Sequence, residues 1–578
     1  MKSGSGSFPT ARAALLLVAV VAATVVLTWP LAAHLRTRLP HTDYVARTDA
    51  LVAGWVLAHQ THALATAPTT IADGNIFHPS SNALFYGPLG VGALPLFAPV
   101  FLASGGDTTL ALNVTFLLGV ALTSWTSAVV VLLWTGSIGA AVASAATLLG
   151  STWLVRGMVA TAPFAAALFY VPVIAYRAAF RTRTLRESLW LVPLLFLQCL
   201  VDVVYVAPAV LAPLGLLAAG RLLRRATRRS GLHLAAALAL SLIAMAPVLA
   251  GYVAVAAANP GLPLQTFWDH RIPRFVLPYG LFRDSSRAVP LLLLVFLLVG
   301  GVAFLRRKRR SGTEEGDSLW AQGALWTTTG ILLSLPPTGF FGRRRIALPI
   351  GLAAQWIPSL AVIRTHDRLG VAALFGFAFL AAAAFREVET WIDRIARRRA
   401  LAVWGRRIAL LALVGGLYVA SRHQALEEGL WLRPFPLFEP PQWSAPAAEV
   451  LRRAPGAVLE LPVWPVGIST PFAQARAMYR STQHWRPLVN GHHSYYPSDF
   501  PARVEVAARV PHPKALQALR REANLSTIAV PLDTMPEGMR RQWETLAVSP
   551  KPGLRLVFHS QNELIFEIDD VPEPPARP

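Results

Sequence analysis

Four groups of polar residues stand out in an otherwise apolar chain, and each has a chemistry to offer. The first is 41–49 (HTDYVARTD), with Asp73 further on. A carboxylate here, Asp43 or Asp49, suits a general base acting on a sugar hydroxyl. The two together could also hold a divalent cation. Asp49 stands near a helix start, where capping is the plainer account. The second group is 364–368 (RTHDR). Arg364, His366 and Arg368 could grip a phosphate at a membrane surface, as arginine forks do, although charged helix flanks look the same. The third, 268–274 (WDHRIPR), offers Arg271 and Arg274 for the same purpose but reads more simply as a solvated loop. The fourth is 479–495 (YRSTQHWRPLVNGHHSY). Its mixture of rings with His, Asn and Arg fits carbohydrate contact, or a loop packed on neighbouring helices.

Other polar residues carry less. His59 and His62 share a helical face, but no acidic third ligand falls at metal-site spacing; they read as interfacial side chains. Gln198 and Asp202 lie near the end of an apolar run and reach for the headgroups. The GxxxxGK phosphate loop is absent from the sequence, which argues against an ATP-driven transporter.

The elements that must position these groups are membrane helices. Of 578 residues, 54% are hydrophobic and 15% charged, against about a quarter charged in an ordinary soluble domain. Runs such as 13–29 and 288–304 have the length a bilayer core requires. Full spans are expected at 11–33, 108–133, 137–155, 160–180, 187–203, 204–220, 231–256, 288–305, 319–335, 367–386 and 407–421. Segments 88–103 and 347–363 are expected to enter only half-way, which in a bilayer implies a polar cavity beside them.

The net charge of +22 divides unevenly, with +1 from residue 421 onward and +21 before it. The excess sits in short loops, 221–229, 306–310 and 394–407, which marks the cytoplasmic side and argues against nucleic acid as the partner. The N-terminus is then cytoplasmic. The 34–87 loop, the 257–287 loop and the C-terminal region are extracytoplasmic. Cys199 is the single cysteine, so no disulfide forms within the chain. The N-terminal run lacks a small-residue cleavage site and reads as an uncleaved first helix.

Within the first outer loop, 47–66 has helical periodicity and suggests an interfacial helix lying on the membrane. After a Pro-rich linker, placed at 422–446, residues 447–578 read as a small α/β domain. Strands are expected at 457–463 and 526–531, helices at 446–453 and 513–523, and a terminal hairpin turning at Gln561-Asn562. The membrane domain is 1–421. No internal repeat is visible.

Several stretches together resemble the GT-C-fold membrane glycosyltransferases, relatives of the polyprenyl-phosphate-mannose protein mannosyltransferases. They are WPLAAH (29–34), Asp49 followed six residues later by Trp55, DGNIFHP (73–79), and the C-terminal run AVLELPV (457–463), MYRSTQHWRPLVNG (478–491) and Pro497. RTHDR sits where that group has an arginine pair before a late span.

The resemblance implies transfer of a sugar from a polyprenyl-phosphate carrier, on the outer face of the membrane, to a glycan, lipid or protein acceptor. Asp49 is then the base, with Asp43 its partner or a metal ligand. Arg364, His366 and Arg368 meet the phosphate. Asp73, Asn75, His484, Trp485 and Asn490 contact substrate. No cofactor is implied beyond a divalent cation. Two positions depart from the group's pattern: a Glu-His pair common after the tyrosine matching Tyr86 is here Pro88 and Leu89. In addition, 156–165 has no histidine. These departures keep a second reading open, a non-catalytic relative that binds lipid-linked sugar or glycan in envelope assembly. A flippase would need charges deep within spans, and the spans here are nearly charge-free.

Overall fold

A computed structural model describes residues 10–41, 44–151, 154–155, 167–259, 298, 301–302, 317–341, 344–356, 363, 366–396, 399–427, 435–464 and 470–569. Asp43, Arg364, Arg271, Arg274 and most of the expected span 288–305 lie outside them.

The chain is mostly helical. The N-terminal part contains α1 (Thr10–Leu27), α2 (Tyr44–Thr66), α3 (Leu94–Ala103), α4 (Thr108–Thr135), α5 (Ile138–Leu149), α6 (Tyr170–Phe180), α7 (Leu185–Leu189), α8 (Leu191–Cys199), α9 (Val206–Leu222) and α10 (Arg228–Ala258). Beyond these come α11 (Asp317–Ser334), α12 (Pro349–Trp356), α13 (Val371–Ile395) and α14 (Arg399–Glu427). Among the described residues, five helical stretches are long and apolar enough to cross a membrane: Thr10–Leu27, Thr108–Thr135, Arg225–Ala258, Arg368–Ile395 and Arg399–Leu417. Apolar side chains that cannot be hidden from lipid face outward, such as Leu15, Val18, Ile243 and Leu411.

Two expected full spans are shorter than sequence indicates. The 187–203 run is broken at Trp190, leaving α8 with 9 residues, and the 137–155 run gives α5 with 12. At 1.5 Å per residue α8 extends about 14 Å, roughly half a bilayer core. Pro193 lacks the N–H that would have bonded back to Leu189, which explains the break. The segment 88–103 yields the 10-residue α3, and 347–363 yields the 8-residue α12.

The bundle is tied by close backbone approach. A Cβ on Gly330 of α11 would fall 2.1 Å from the Ala373 nitrogen of α13, and one on Gly376 would fall 2.2 Å from the Thr327 nitrogen. Small residues at such crossings let helices pack without a hydrophobic driving force.

The C-terminal region holds α15 (Ala445–Arg452), α16 (Thr470–Ser481), α17 (Phe500–Ala507), α18 (Pro513–Ala523) and α19 (Glu537–Val548) around a four-stranded sheet. The strands are β5 (Ala457–Glu460), β6 (Leu525–Pro531), β7 (Leu554–His559) and β8 (Glu563–Ile568), ordered β5-β6-β8-β7. Only β5 and β6 run parallel; β7 and β8 form the terminal hairpin. Two shorter pairs complete the set: β1 (Leu39–Pro40) with β4 (Leu437–Phe438), and β2 (Thr338–Phe341) with β3 (Arg344–Ala347).

The loop after α2 joins the C-terminal sheet. Val458 bridges Leu488 in parallel. Leu488 N–H donates to the Asn75 carbonyl at 2.6 Å, and Phe77 N–H donates to the Asn490 carbonyl at 2.9 Å. Residues 75–78 thus cover an edge that would otherwise leave backbone groups unpaired.

Candidate functional site

The approach to α2 is fixed at both ends. β1 pairs with β4, and His41 N–H donates to the Pro436 carbonyl at 3.0 Å. The fully buried Asn113 of α4 donates to the carbonyls of Leu35 (2.9 Å) and Arg38 (2.7 Å). Asp49 follows in the second turn of α2, half-buried. Arg47 lies over the Phe438 ring at 5.7 Å.

α2 is not an interfacial helix with one face on lipid. Ala50, Leu51 and every residue from Ala53 to Thr61 that carries a side chain are buried. One side packs on α3 and α4, the other on α16. Gly54 makes this approach feasible: a Cβ there would lie 2.8 Å from the Tyr479 ring. The Tyr479 hydroxyl in turn bonds the Thr109 hydroxyl at 2.7 Å. Tyr479 meets Gly54, and Trp485 meets His62. Arg476 of α16 lies over the Phe472 ring at 5.7 Å.

The far half of α2 carries a second cluster. Trp55 Nε1 donates to Asn75 Oδ1 at 2.9 Å, and Asn75 Nδ2 donates to the Arg486 carbonyl at 3.0 Å. Trp55 stacks on His59 at 5.4 Å, and His62 stacks on Trp485 at 4.2 Å with planes 4° apart. The ring nitrogens of His59 are buried without a good hydrogen bond. Burial, then the neighbouring His62, lowers its pKa to about 4, although the Ile71 backbone and Asp73 favour the cation.

Several expected substrate contacts are used inside the protein. Asn490 donates from Nδ2 to the Glu460 carbonyl (2.9 Å) and accepts at Oδ1 from the Glu460 N–H (2.8 Å). His484 is buried and accepts at Nδ1 from the Arg486 N–H at 3.0 Å; burial, with Arg486 and Arg452 nearby, takes its pKa down to about 3. Asp73 Oδ1 accepts from the Asn82 N–H at 3.1 Å, closing the turn that presents Asn75. Asn75, His484 and Asn490 each carry a structural duty in the fold. Amides and imidazoles between two layers satisfy backbone groups that would otherwise be costly to bury.

Asp49 and His62 are 13 residues apart on one helix, about 20 Å along its axis. The Asp49 end and the Trp485 end are therefore separate sites.

The described part of the 364–368 group lies just ahead of α13. His366 and Arg368 occupy the helical turn His366–Gly370 ahead of α13. Arg368 stacks over Tyr205 at 5.1 Å. Burial lowers the His366 pKa to about 4, so it stands neutral at pH 7. The buried Leu89 has its carbonyl bonded by Gln60 of α2. The Gly87 carbonyl accepts from the Tyr252 hydroxyl at 2.8 Å. Among the described residues, no group of three or more His, Cys, Asp or Glu side chains is arranged to hold a metal ion.

Compared with solved structures, the chain is similar to the arabinofuranosyltransferase AftD from Mycobacteria, with TM-score 0.54 and 14% identity over 97% of this chain and 40% of that one. The chain has a GT-C fold. It spans about 40% of the length of AftD. Weaker similarity extends to the oligosaccharyltransferase AglB from Archaeoglobus fulgidus, whose structure holds an inhibitory peptide and a dolichol-phosphate (TM-score 0.46, 12% identity, 98% of this chain and 75% of that one). No family model and no curated protein matches the sequence. Within the GT-C fold α2 is part of the packed interior, so the Asp49 carboxylate is carried on a rigid element.

Proposed function

We propose that this chain is an integral membrane glycosyltransferase that takes a sugar from a polyprenyl-phosphate carrier and passes it to an envelope glycan, lipid or protein acceptor on the outer face. The carrying observation is the GT-C fold shared with a glycosyltransferase over 97% of the chain. Asp49 is the base, with Asp43 its partner or a cation ligand. It takes the proton of the acceptor hydroxyl. The acceptor oxygen then bonds to the sugar carbon as the bond to the phosphate oxygen breaks, inverting that carbon. Arg364 and Arg368 balance the charge left on the phosphate, with neutral His366 beside them. A multi-helix membrane domain with half-spans at 88–103 and 347–363 fits this reading, with a cytoplasmic N-terminus and an extracytoplasmic 447–578. The short α3 supports the half-span at 88–103.

The test is a transfer assay with purified protein, radiolabelled polyprenyl-phosphate sugars and membrane extract as acceptor. Wild type is expected to transfer and Asp49→Asn to lose turnover while still binding lipid. Transfer that survives Asp49→Asn would remove Asp49 from the chemistry.

One observation favours a second reading, a non-catalytic binder of lipid-linked sugar. Leu89 is packed and its carbonyl is occupied, so this stretch is built for packing where the resembling group has Glu-His. Lipid binding with no transfer from any donor would select it.

A further inference from the structure

Arg368 has donors to spare. Its guanidinium lies over the Tyr205 ring, yet its Nε is buried with no hydrogen-bond partner among the described residues. A buried arginine N–H without an acceptor is a group prepared for one that arrives from outside. What holds the ring in place is a second residue. Asp202 Oδ1 accepts from the N–H groups of Val204 (2.8 Å) and Tyr205 (3.0 Å). Its carbonyl accepts from Val206 and Ala207 at 3.1 and 3.0 Å. The carboxylate therefore shapes the turn that enters α9, the turn aims the Tyr205 ring, and the ring sets the plane of the guanidinium.

The location adds a second, independent observation. The turn between α8 and α9 is irregular backbone reached by a helix of only 9 residues. Such backbone at membrane depth persists where protein covers it or where it lines a polar cavity. An arginine and an aspartate beside it mark a site of function more often than of packing.

We propose that Asp202 and Tyr205 are positioning residues for a phosphate site centred on Arg368. The ligand is a phosphate ester; that it belongs to the polyprenyl carrier rests on the function proposed above. Neither residue touches the phosphate. Each acts through the stacked guanidinium, whose flat fork is what a phosphate recognises.

The experiment measures binding of polyprenyl phosphate to the full-length protein in detergent, with inorganic phosphate and phosphatidylglycerol vesicles as competitors. Tyr205→Phe keeps the ring face and Asp202→Asn keeps the acceptor, so both are expected to bind as wild type. Tyr205→Leu and Asp202→Ala should weaken binding roughly 3- to 30-fold. Arg368→Lys should weaken it similarly, because an ammonium keeps the charge but not the stacked plane; this variant serves if Tyr205→Leu does not fold. Competition by a free phosphate or by phosphatidylglycerol with the same variant pattern supports the site and names another source for its ligand. Equal affinity of Tyr205→Leu, Asp202→Ala and wild type overturns the proposal, as does a wild type that binds none of the three probes. Sugar transfer is scored separately on the same preparations. Variant-sensitive binding without transfer would keep this site and sink the transferase; transfer with variant-insensitive binding would do the reverse.

Discussion

The indole N–H of Trp55 and the backbone carbonyl of Arg486 are joined through one side chain, the amide of Asn75. The link connects α2, the loop after it and the C-terminal region, across 411 residues of sequence between Asn75 and Arg486. Removing the amide leaves a fully buried indole N–H and a backbone carbonyl without their partner. Asn75→Ala should therefore cost about 1–3 kcal/mol and free the loop at 67–90. Thermal unfolding and limited proteolysis read these effects. An unchanged midpoint together with an unchanged cleavage pattern would show that the link contributes nothing.

Trp485 occupies backbone that favours glycine, with φ of +56°. It follows the end of α16, where a left-handed residue commonly stops a helix. A bulky side chain there is strained by about 1–2 kcal/mol, and stacking on His62 is the compensation in view. Trp485→Ala loses the stacking and keeps the strain, whereas Trp485→Gly loses both. The glycine variant should be the more stable of the two by about 1 kcal/mol. The opposite order in thermal unfolding would mean the turn is not strained.

Much of the C-terminal region was legible because its signals are local. β5, β6 and the terminal hairpin fall where alternation and the Gln561-Asn562 turn put them. α2 was legible as a helix but not as an interior one, since the surface that buries its second side, Tyr479 and Trp485, comes four hundred residues later. The same distance hid the roles of Asn75 and Asn490. Their residue types fit a sugar as well as a backbone, and the pairing of residues 75–78 with 488–490 is a contact between distant parts of the chain. The Tyr205–Arg368 stack was hidden for the same reason.

Acid should loosen the C-terminal region. Burial holds His59 at about 4, and His484 and His493 at about 3, each below its ordinary value. A depressed histidine is neutral when folded and takes up its proton more readily when unfolded. Its contribution is thus full above about pH 6.5 and is lost as pH falls through the folded value, at up to about 1.4 kcal/mol per pH unit for each group. The unfolding midpoint should drop between pH 6.5 and 4. His484→Asn, which offers an acceptor where Nδ1 stood, should flatten that drop. A wild-type midpoint constant over the range would contradict the buried neutral state.

Arg480 and Glu460 form an ion pair at the seam of α16 and the sheet, both 3% exposed, with Nη2 to Oε1 at 2.6 Å and Nε to Oε1 at 3.1 Å. Arg480 also stacks over Trp443 at 5.0 Å. Two charges so deeply buried are costly to desolvate, and their attraction roughly offsets that cost only while both are present. Glu460→Met or Arg480→Met alone strands the partner's charge and should destabilise by about 3–5 kcal/mol. Because α16 backs α2, each single change should also reduce any activity that depends on Asp49, and it should do so in step with the loss of folded protein. The double variant Glu460→Met/Arg480→Met removes both charges and should recover most of the stability. Chemical denaturation of all four proteins gives the coupling directly. If the double variant were as unstable as the sum of the singles, the pair would be contributing through its separate packing contacts, and α16 would owe its place to Trp443 and the apolar seam instead.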